Sequence, residues 1–224
     1  MERISFKEND ISQKPALELL QKLGYQYLSP EEALMMRGGK TSNVLLEEVL
    51  RRQLRELNSI RVGSRKEERF SDQNIENGVT AMRNVPMEGG YLSGNEAVYN
   101  MLTLGKAFEQ SIDGDKKTYT MRYIDWEHPE NNVYHVTEEF AVTRTGIADT
   151  YRPDIVLFVN GIPLVLIECK RPDIKGAEEQ AISQHLRNQQ DDGIRGLYVY
   201  SALLLAIGNN FGSYATTGSA QIFW

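Results

Sequence analysis

Residues 152–172 read RPDIVLFVNGIPLVLIECKRP. Two runs in this stretch, 154–159 and 163–169, are almost continuously apolar and flank Asn160-Gly161. Such runs suit central strands buried on both faces. Charges normally stay out of strands of this kind, because burying one unpaired costs several kcal/mol. Here Asp154 opens the first run, and Glu168 and Lys170 close the second. Strand side chains alternate, so Glu168 and Lys170 share a face while Cys169 points the other way. Two carboxylates and an ammonium gathered at one sheet end are a poor packing choice. They suit a divalent metal, because a hard cation takes oxygen ligands and offsets the like-charge cost of neighbouring acids.

The register of the hairpin decides whether the acids meet. A plain two-residue loop at Asn160-Gly161 places Val159 opposite Ile162 and Asp154 opposite Ile167, which puts Asp154 and Glu168 on opposite faces. An odd loop over 159–161, with Gly161 left-handed and a bulge, pairs Asp154 with Leu166 and restores a common face. The expectation is therefore an odd-length or bulged connection. A tight turn would serve only if a bulge elsewhere corrected the parity. An E-x-K triplet alone arises by chance about once in a chain of this length. The weight lies in the paired run, the preceding Pro153-Asp154 and the apolar flanks.

The rest of the chain frames this core. Its 224 residues fit one large domain, or one core with an added subdomain. With 41% hydrophobic and 25% charged residues it is no collagen, disordered tail or coiled-coil rod. No apolar run reaches the roughly 18 residues of a membrane span, and MERISFKEND lacks a signal-peptide core. The single cysteine, Cys169, excludes a disulfide framework and a CxxC zinc site. These features describe a soluble cytoplasmic protein. A net charge of −6 offers no general attraction for nucleic acid, so any such binding needs a local patch or a partner.

Helical patterns dominate the first half. Pro15 opens 15–23 and Gly24 follows it; Ser29-Pro30-Glu31-Glu32 resembles a capped start. Leu46, Val49, Leu50, Leu54 and Leu57 line one face of 43–57, with Asn43 as a cap. Residues 95–110 read as a further helix. From about 118 the pattern becomes β-like, at 118–126 and 133–144, with turn chemistry in EHPENN between them. Residues 176–190 read as a helix stopped by Asp191-Asp192-Gly193, and 196–207 as one or two strands, with a helix as the alternative. The expected fold is α/β, a central mixed β-sheet flanked by helices with a helical N-terminal portion. The division is 1–115 mainly helical and 116–224 sheet-rich, within one domain over 1–224. The end on Phe223-Trp224, without a polar tail, suggests that the native polypeptide continues.

Pro153-Asp154 followed by Glu168-Cys169-Lys170 resembles the PD-(D/E)XK nuclease motif. RPDIVLFVNGIPLVLIECKRP, AISQHLRNQQDD at 181–192 and YATTGSAQIFW at 214–224 together resemble the N-terminal nuclease region of the type I restriction enzyme R subunit. The likeness is strong from about 118 onward and weaker in LQKLGYQYLS and at Leu57 and Asn58. It implies a restriction-endonuclease-like fold and a Mg²⁺-dependent DNA endonuclease, with Mn²⁺ as a substitute. Asp154 and Glu168 match the metal-binding acids, Lys170 matches the catalytic lysine, and the carbonyl of Cys169 is implied as a further ligand. The family's helix motif of Gln, three residues, then Tyr is met by Gln184 but holds Asn188 in place of Tyr. An acid or histidine on the first helix often completes such sites; Glu8 and Glu18 are candidates that no motif fixes. Implied partners are double-stranded DNA and the methylase and specificity subunits, with ATP entering only through a motor region beyond this chain. The alternatives are another nuclease of the superfamily, for repair or junction cleavage, and a non-catalytic docking module with the same fold.

Other features read as structural. Gly38-Gly39-Lys40-Thr41 suggests a phosphate loop, but Leu34 stands where the first glycine belongs and no clear strand precedes it. His128, His135 and His185 lack metal spacing, with His185 read as a surface residue beside Gln184. Cys169 is read as core. Tyr99, Phe108, Tyr123, Trp126 and Phe140 are read as core stripes. The basic stretch Arg51, Arg52, Arg55, Arg61, Arg65, Lys66 and Arg69, interleaved with glutamates, reads as a solvated face. Arg152, Lys170, Arg171, Lys175 and Arg187 lie nearer the expected site.

Overall fold

The computed structural model describes residues 13–63, 66–171 and 173–224. Pro15 starts helix α1 (Lys14–Lys22), which ends before the left-handed Gly24. Strand β1 (Gln26–Leu28) leads into α2 (Pro30–Met36). Ser29 caps α2 with a reciprocal capping box: its hydroxyl accepts from Glu32 N–H while the Glu32 carboxylate accepts from Ser29 N–H. Helix α3 (Glu47–Leu57) buries Val49, Leu50 and Leu54, as its spacing predicts. Asn43 acts from outside the helix, accepting from Leu45 N–H and donating to Glu47.

Two hairpins interrupt the helical part. Strands β2 (Ser59–Val62) and β3 (Lys66–Arg69) pair before α4 (Asp72–Arg83). After α5 (Tyr91–Leu104), strands β4 (Lys106–Ile112) and β5 (Asp115–Met121) form a ribbon. The expected helix over 95–110 therefore stops early. At Gly105 (φ +75°) the chain turns so tightly that an added Cβ would lie 2.6 Å from the Met121 carbonyl oxygen. The sequence reading passed over α4, and the ribbon's largely exposed residues give little alternation to find.

The sheet-rich part contains β6 (Tyr134–Glu138), β7 (Val142–Thr143), β8 (Thr150–Tyr151), β9 (Ile155–Val159), β10 (Ile162–Cys169), α6 (Ala177–Asn188), α7 (Arg195–Tyr198), β11 (Leu203–Gly208) and β12 (Phe211–Ala215). Six strands form one mixed sheet in the order β1-β6-β9-β10-β11-β12. The β1–β6 and β10–β11 pairs are parallel and the others antiparallel. The segment 196–207 divides into the short helix α7 and strand β11, because Leu197 and Tyr198 are buried through a helical turn before the strand begins. The α/β expectation holds.

Both faces of the central strands are covered. Val156, Phe158 and Leu166 join the larger core with Leu46, Leu50 and Leu54 of the α3 region. Ile155, Leu157, Ile167 and Cys169 join a second core closed by Leu17 of α1. Tyr123 and Phe140 are core residues and Phe108 packs against the core, but Tyr99 and Trp126 are 62% and 59% exposed. Trp126 lies over the surface and donates its indole N–H to Leu102 O.

Asn160 pins the central hairpin to the strand beside it. Its amide donates to Tyr123 O (2.9 Å) and Asn132 Oδ1 (2.7 Å), and its Oδ1 accepts from Val133 N–H (2.9 Å). Its backbone is left-handed at φ +52°, which asparagine tolerates better than alanine. Asn160→Ala should therefore cost about 2–4 kcal/mol, from unmet buried groups and the backbone penalty. Chemical denaturation checks this; a loss below about 0.5 kcal/mol would contradict it.

Candidate active site

Asp154 and Glu168 meet by a different route from the odd loop. The connection is tight: Asn160 and Gly161 both have positive φ, and Val159 pairs with Ile162. Gly161 is wedged against α3, where an added Cβ would come within 2.5 Å of Leu46 O. Parity is corrected farther along, where the register shifts between Pro163 and Val165. Proline has no N–H to donate, so a bulge is tolerated there. Beyond it Leu166 pairs with Val156 and Ile167 with Ile155, and the same register brings Asp154 across from Glu168.

The geometry at the sheet end is close. Asp154 Oδ2 accepts from Cys169 N–H at 2.7 Å. Lys170 Nζ donates to Cys169 O at 2.9 Å and lies 3.8 Å from Asp154 Oδ2. Lys170 N–H also bonds Ile207 O, which prolongs the β10–β11 ladder and fixes the lysine's backbone. Glu168 is 0% exposed; among the described residues no N–H donor reaches its carboxyl oxygens, and the group within hydrogen-bond reach is the Asp154 carboxyl. Burial, then the adjacent Asp154, pushes the Glu168 carboxyl well above its usual range, against the opposing pull of Lys170.

This donor set fits a hard divalent cation. Buried oxygens on Glu168 stand beside the Asp154 carboxylate and the Cys169 carbonyl, and oxygen donors are what Mg²⁺ takes. No group of three or more acid, cysteine or histidine side chains that could hold an ion exists among the described residues. The set is thus two carboxylates and a carbonyl, which suits an ion that keeps part of its water shell.

A groove of about 510 Å³ adjoins the site, lined by Lys170, Glu179, Gln180, Ser183, Gln184 and Arg187. Gln184 is therefore brought to the lysine. Asn188, one turn later, is buried; its Oδ1 accepts from Arg187 Nη2 at 3.2 Å. His185 is not on the surface as expected. It is fully buried, with Nε2 3.0 Å from Leu205 O and Nδ1 3.0 Å from the Tyr198 hydroxyl. The carbonyl can only accept, so Nε2 carries the proton and Tyr198 donates to Nδ1. Burial lowers the His185 pKa to about 4, and the ring stacks on Trp224. His185 thus anchors α6, and with it Gln184, to the sheet.

Sequence reasoning missed Glu139. It follows β6, donates its N–H to Asp154 O at 3.0 Å, and its carboxyl is raised by burial and by Asp154. Only its place in the Glu138-Glu139 pair before a break in alternation could have hinted at it. Glu18 borders a separate hollow of about 170 Å³ with Tyr27 and Glu138. Glu8 lies outside the described residues.

The other readings resolve simply. Arg51 pairs with Glu76, Arg55 with Asp72, and Lys66 with Glu68 and Asp113. Those three basic residues are ion-paired at the surface, and Arg65 lies outside the described residues. Gly38 and Lys40 border a cavity of about 480 Å³, but α2 rather than a strand leads into them. Cys169 is fully buried. No described helix is long and apolar enough to cross a membrane.

Comparison with known proteins places the chain in a family. The family model for the type I restriction enzyme R protein N terminus matches residues 5–221. The chain is 28% identical over 202 residues to the type I restriction enzyme HindI endonuclease subunit of Haemophilus influenzae, covering 88% of this chain and 18% of that protein. A protein of Methanocaldococcus jannaschii, provisionally named the type I restriction enzyme MjaIXP endonuclease subunit, is 33% identical over 108 residues, covering 48% of this chain and 10% of that one. The chain spans less than a fifth of the length of these curated relatives.

Proposed function

The chain belongs to the type I restriction enzyme R protein N-terminal family, and from that premise we propose that it is the Mg²⁺-dependent DNA endonuclease region of such an enzyme. The observation that carries the reading is the fully buried Glu168 carboxyl, set beside Asp154 and Lys170. Burying two acids together has a high cost unless a cation joins them.

In this reading Asp154, Glu168 and the Cys169 carbonyl hold the ion. When bound, Mg²⁺ supplies an acidified water and stabilises charge on the phosphate. Lys170 orients that water and offsets charge growing on the non-bridging oxygens. Its tether to the Cys169 carbonyl keeps the ammonium at the donor set before substrate arrives. Gln184 and Arg187 line the groove and contact the DNA backbone, which a side-chain amide and a guanidinium suit. The acidic chain binds DNA weakly alone, so the remainder of the R subunit, with the methylase and specificity subunits, brings the DNA and couples ATP-driven translocation to cutting.

The test is reconstitution of the complete enzyme. Unmodified DNA should be cut in Mg²⁺ and ATP, and methylated DNA spared. A complex that hydrolyses ATP and translocates yet never cuts would overturn the nuclease reading in favour of a docking module. Gln184→Ala should slow cutting about 10- to 100-fold through misplaced substrate, with ATP hydrolysis unchanged. An unaltered cutting rate would remove Gln184 from the site.

A further inference from the structure

Tyr151 ends β8, three residues before Asp154. Two guanidiniums lie over its ring, Arg144 at 4.3 Å and Arg187 at 4.4 Å from the ring centroid. Both are cation–π distances. Arg187 belongs to the last turn of α6, the helix that also carries Gln184. The ring therefore joins the segment leading into Asp154 to the helix that lines the groove.

The two arginines are differently employed. Arg144 donates Nε to Asp192 O at 3.0 Å and Nη2 to the Asp192 carboxylate, and its Nη1 lies 3.8 Å from Asp149. Arg187 has no carboxylate partner among the described residues; its Nη2 donates to Asn188 Oδ1 at 3.2 Å. Asn188 is itself fixed, being 1% exposed with its backbone carbonyl accepting from Ile194 N–H at 2.8 Å. The acids that follow α6, Asp191 and Asp192, are taken by Arg195 and Arg144. Glu179, the acid of the groove, stands eight residues before Arg187 on the helix, about 12 Å along its axis. Arg187 is thus restrained by a ring and an amide, neither of which cancels its charge, and it borders the groove that Lys170 also lines.

Resting on the nuclease reading, we infer that Tyr151 is a positioning residue for DNA cutting: its ring holds the Arg187 guanidinium at the groove to receive a backbone phosphate of the strand being cut. A free arginine side chain loses rotamer freedom when it binds, and one already held loses less. Guanidiniums suit phosphate, and such contacts set the register of the nucleic acid. Here that register is measured against Lys170 and the Asp154–Glu168 pair, where a misplacement of about 1 Å can cost about 100-fold.

The experiment uses the complete enzyme with Arg187→Ala, Arg187→Lys, Tyr151→Leu, Tyr151→Phe and the double variant Tyr151→Leu with Arg187→Ala; Lys170→Ala is the control. It reads the rate of DNA cutting at saturating DNA, beside ATP hydrolysis and melting. Arg187→Ala should slow cutting about 10- to 100-fold. Tyr151→Leu should slow it about fivefold, and Tyr151→Phe, which keeps the ring face, should stay within about twofold. The double variant should be no slower than Arg187→Ala alone, because the ring acts through the arginine. Arg187→Lys leaves Tyr151 untouched and keeps the charge, but loses the planar stack, and should slow cutting about threefold or more. ATP hydrolysis should be unchanged throughout. A wild-type rate in Tyr151→Leu or Arg187→Lys would overturn the inference. So would a fivefold loss that persists without Arg187, which marks a merely structural role, or a phenylalanine variant as slow as leucine, which assigns the effect to the hydroxyl. A wild-type rate in Arg187→Ala beside a lost one in Lys170→Ala overturns it and spares the nuclease reading; a wild-type rate in Lys170→Ala sinks that reading itself.

Discussion

Lys170→Ala in the complete enzyme should reduce DNA cutting about 10³-fold, with ATP hydrolysis and DNA binding unchanged. A preorganised cation at the reacting phosphate is worth most in the transition state, so its loss appears in the rate rather than in binding. Lys170 is 8% exposed, and its Nζ is held by the Cys169 carbonyl and the Asp154 carboxylate. It therefore cannot swing away to serve as an ordinary surface charge. Lys170→Arg should not restore activity, because the planar guanidinium cannot occupy the space of a compact ammonium with the same donors. The fold should persist: the backbone bond from Lys170 to Ile207 does not depend on the side chain. Melting should remain cooperative and within about 5 °C of the unaltered protein. Cutting within threefold of wild type would show that Lys170 is not part of the chemistry.

The candidate site was legible in the sequence because its chemistry conflicts with its surroundings. Asp154, Glu168 and Lys170 are charges in apolar strands, and that contradiction survives without coordinates. The route by which they meet was not legible. Whether parity is restored by the loop or by a bulge depends on Gly161 fitting against α3 and on Pro163 lacking a donor, and both are tertiary facts. His185 was misread for a similar reason: a polar residue beside Gln184 looks solvent-facing until Leu205 O and the Tyr198 hydroxyl are seen to satisfy it. The helix ends were clear where caps exist, as at Ser29, and unclear at Gly105, where a close approach to Met121 ends the helix.

Without a divalent cation the stability of this chain should fall as pH rises, and Glu168 should be the cause. The Glu168 carboxyl is raised well above its ordinary range in the folded state, chiefly by burial and then by Asp154. The folded chain then binds a proton more tightly than the unfolded chain at this position. Stability from the protonated form is complete below the unfolded pKa and is lost as pH climbs through the raised folded value. In chelator, the melting temperature should thus drop between mildly acidic and mildly alkaline pH by more in the wild type than in Glu168→Gln. The amide keeps the shape without the charge, so at pH 8 it should melt about 4–8 °C higher, for relief of about 2 kcal/mol. Mg²⁺ should reverse the order. At about 100 times its dissociation constant it adds about 2.7 kcal/mol to the wild type, and it should add little to a variant lacking one of its two carboxylate ligands. Thermal melts of both proteins across pH, with and without Mg²⁺, check each part. A Glu168→Gln protein that is less stable than wild type at pH 8 in chelator, and equally stabilised by Mg²⁺, would mean that the buried carboxylate is held by the fold itself and that no ion belongs between Asp154 and Glu168.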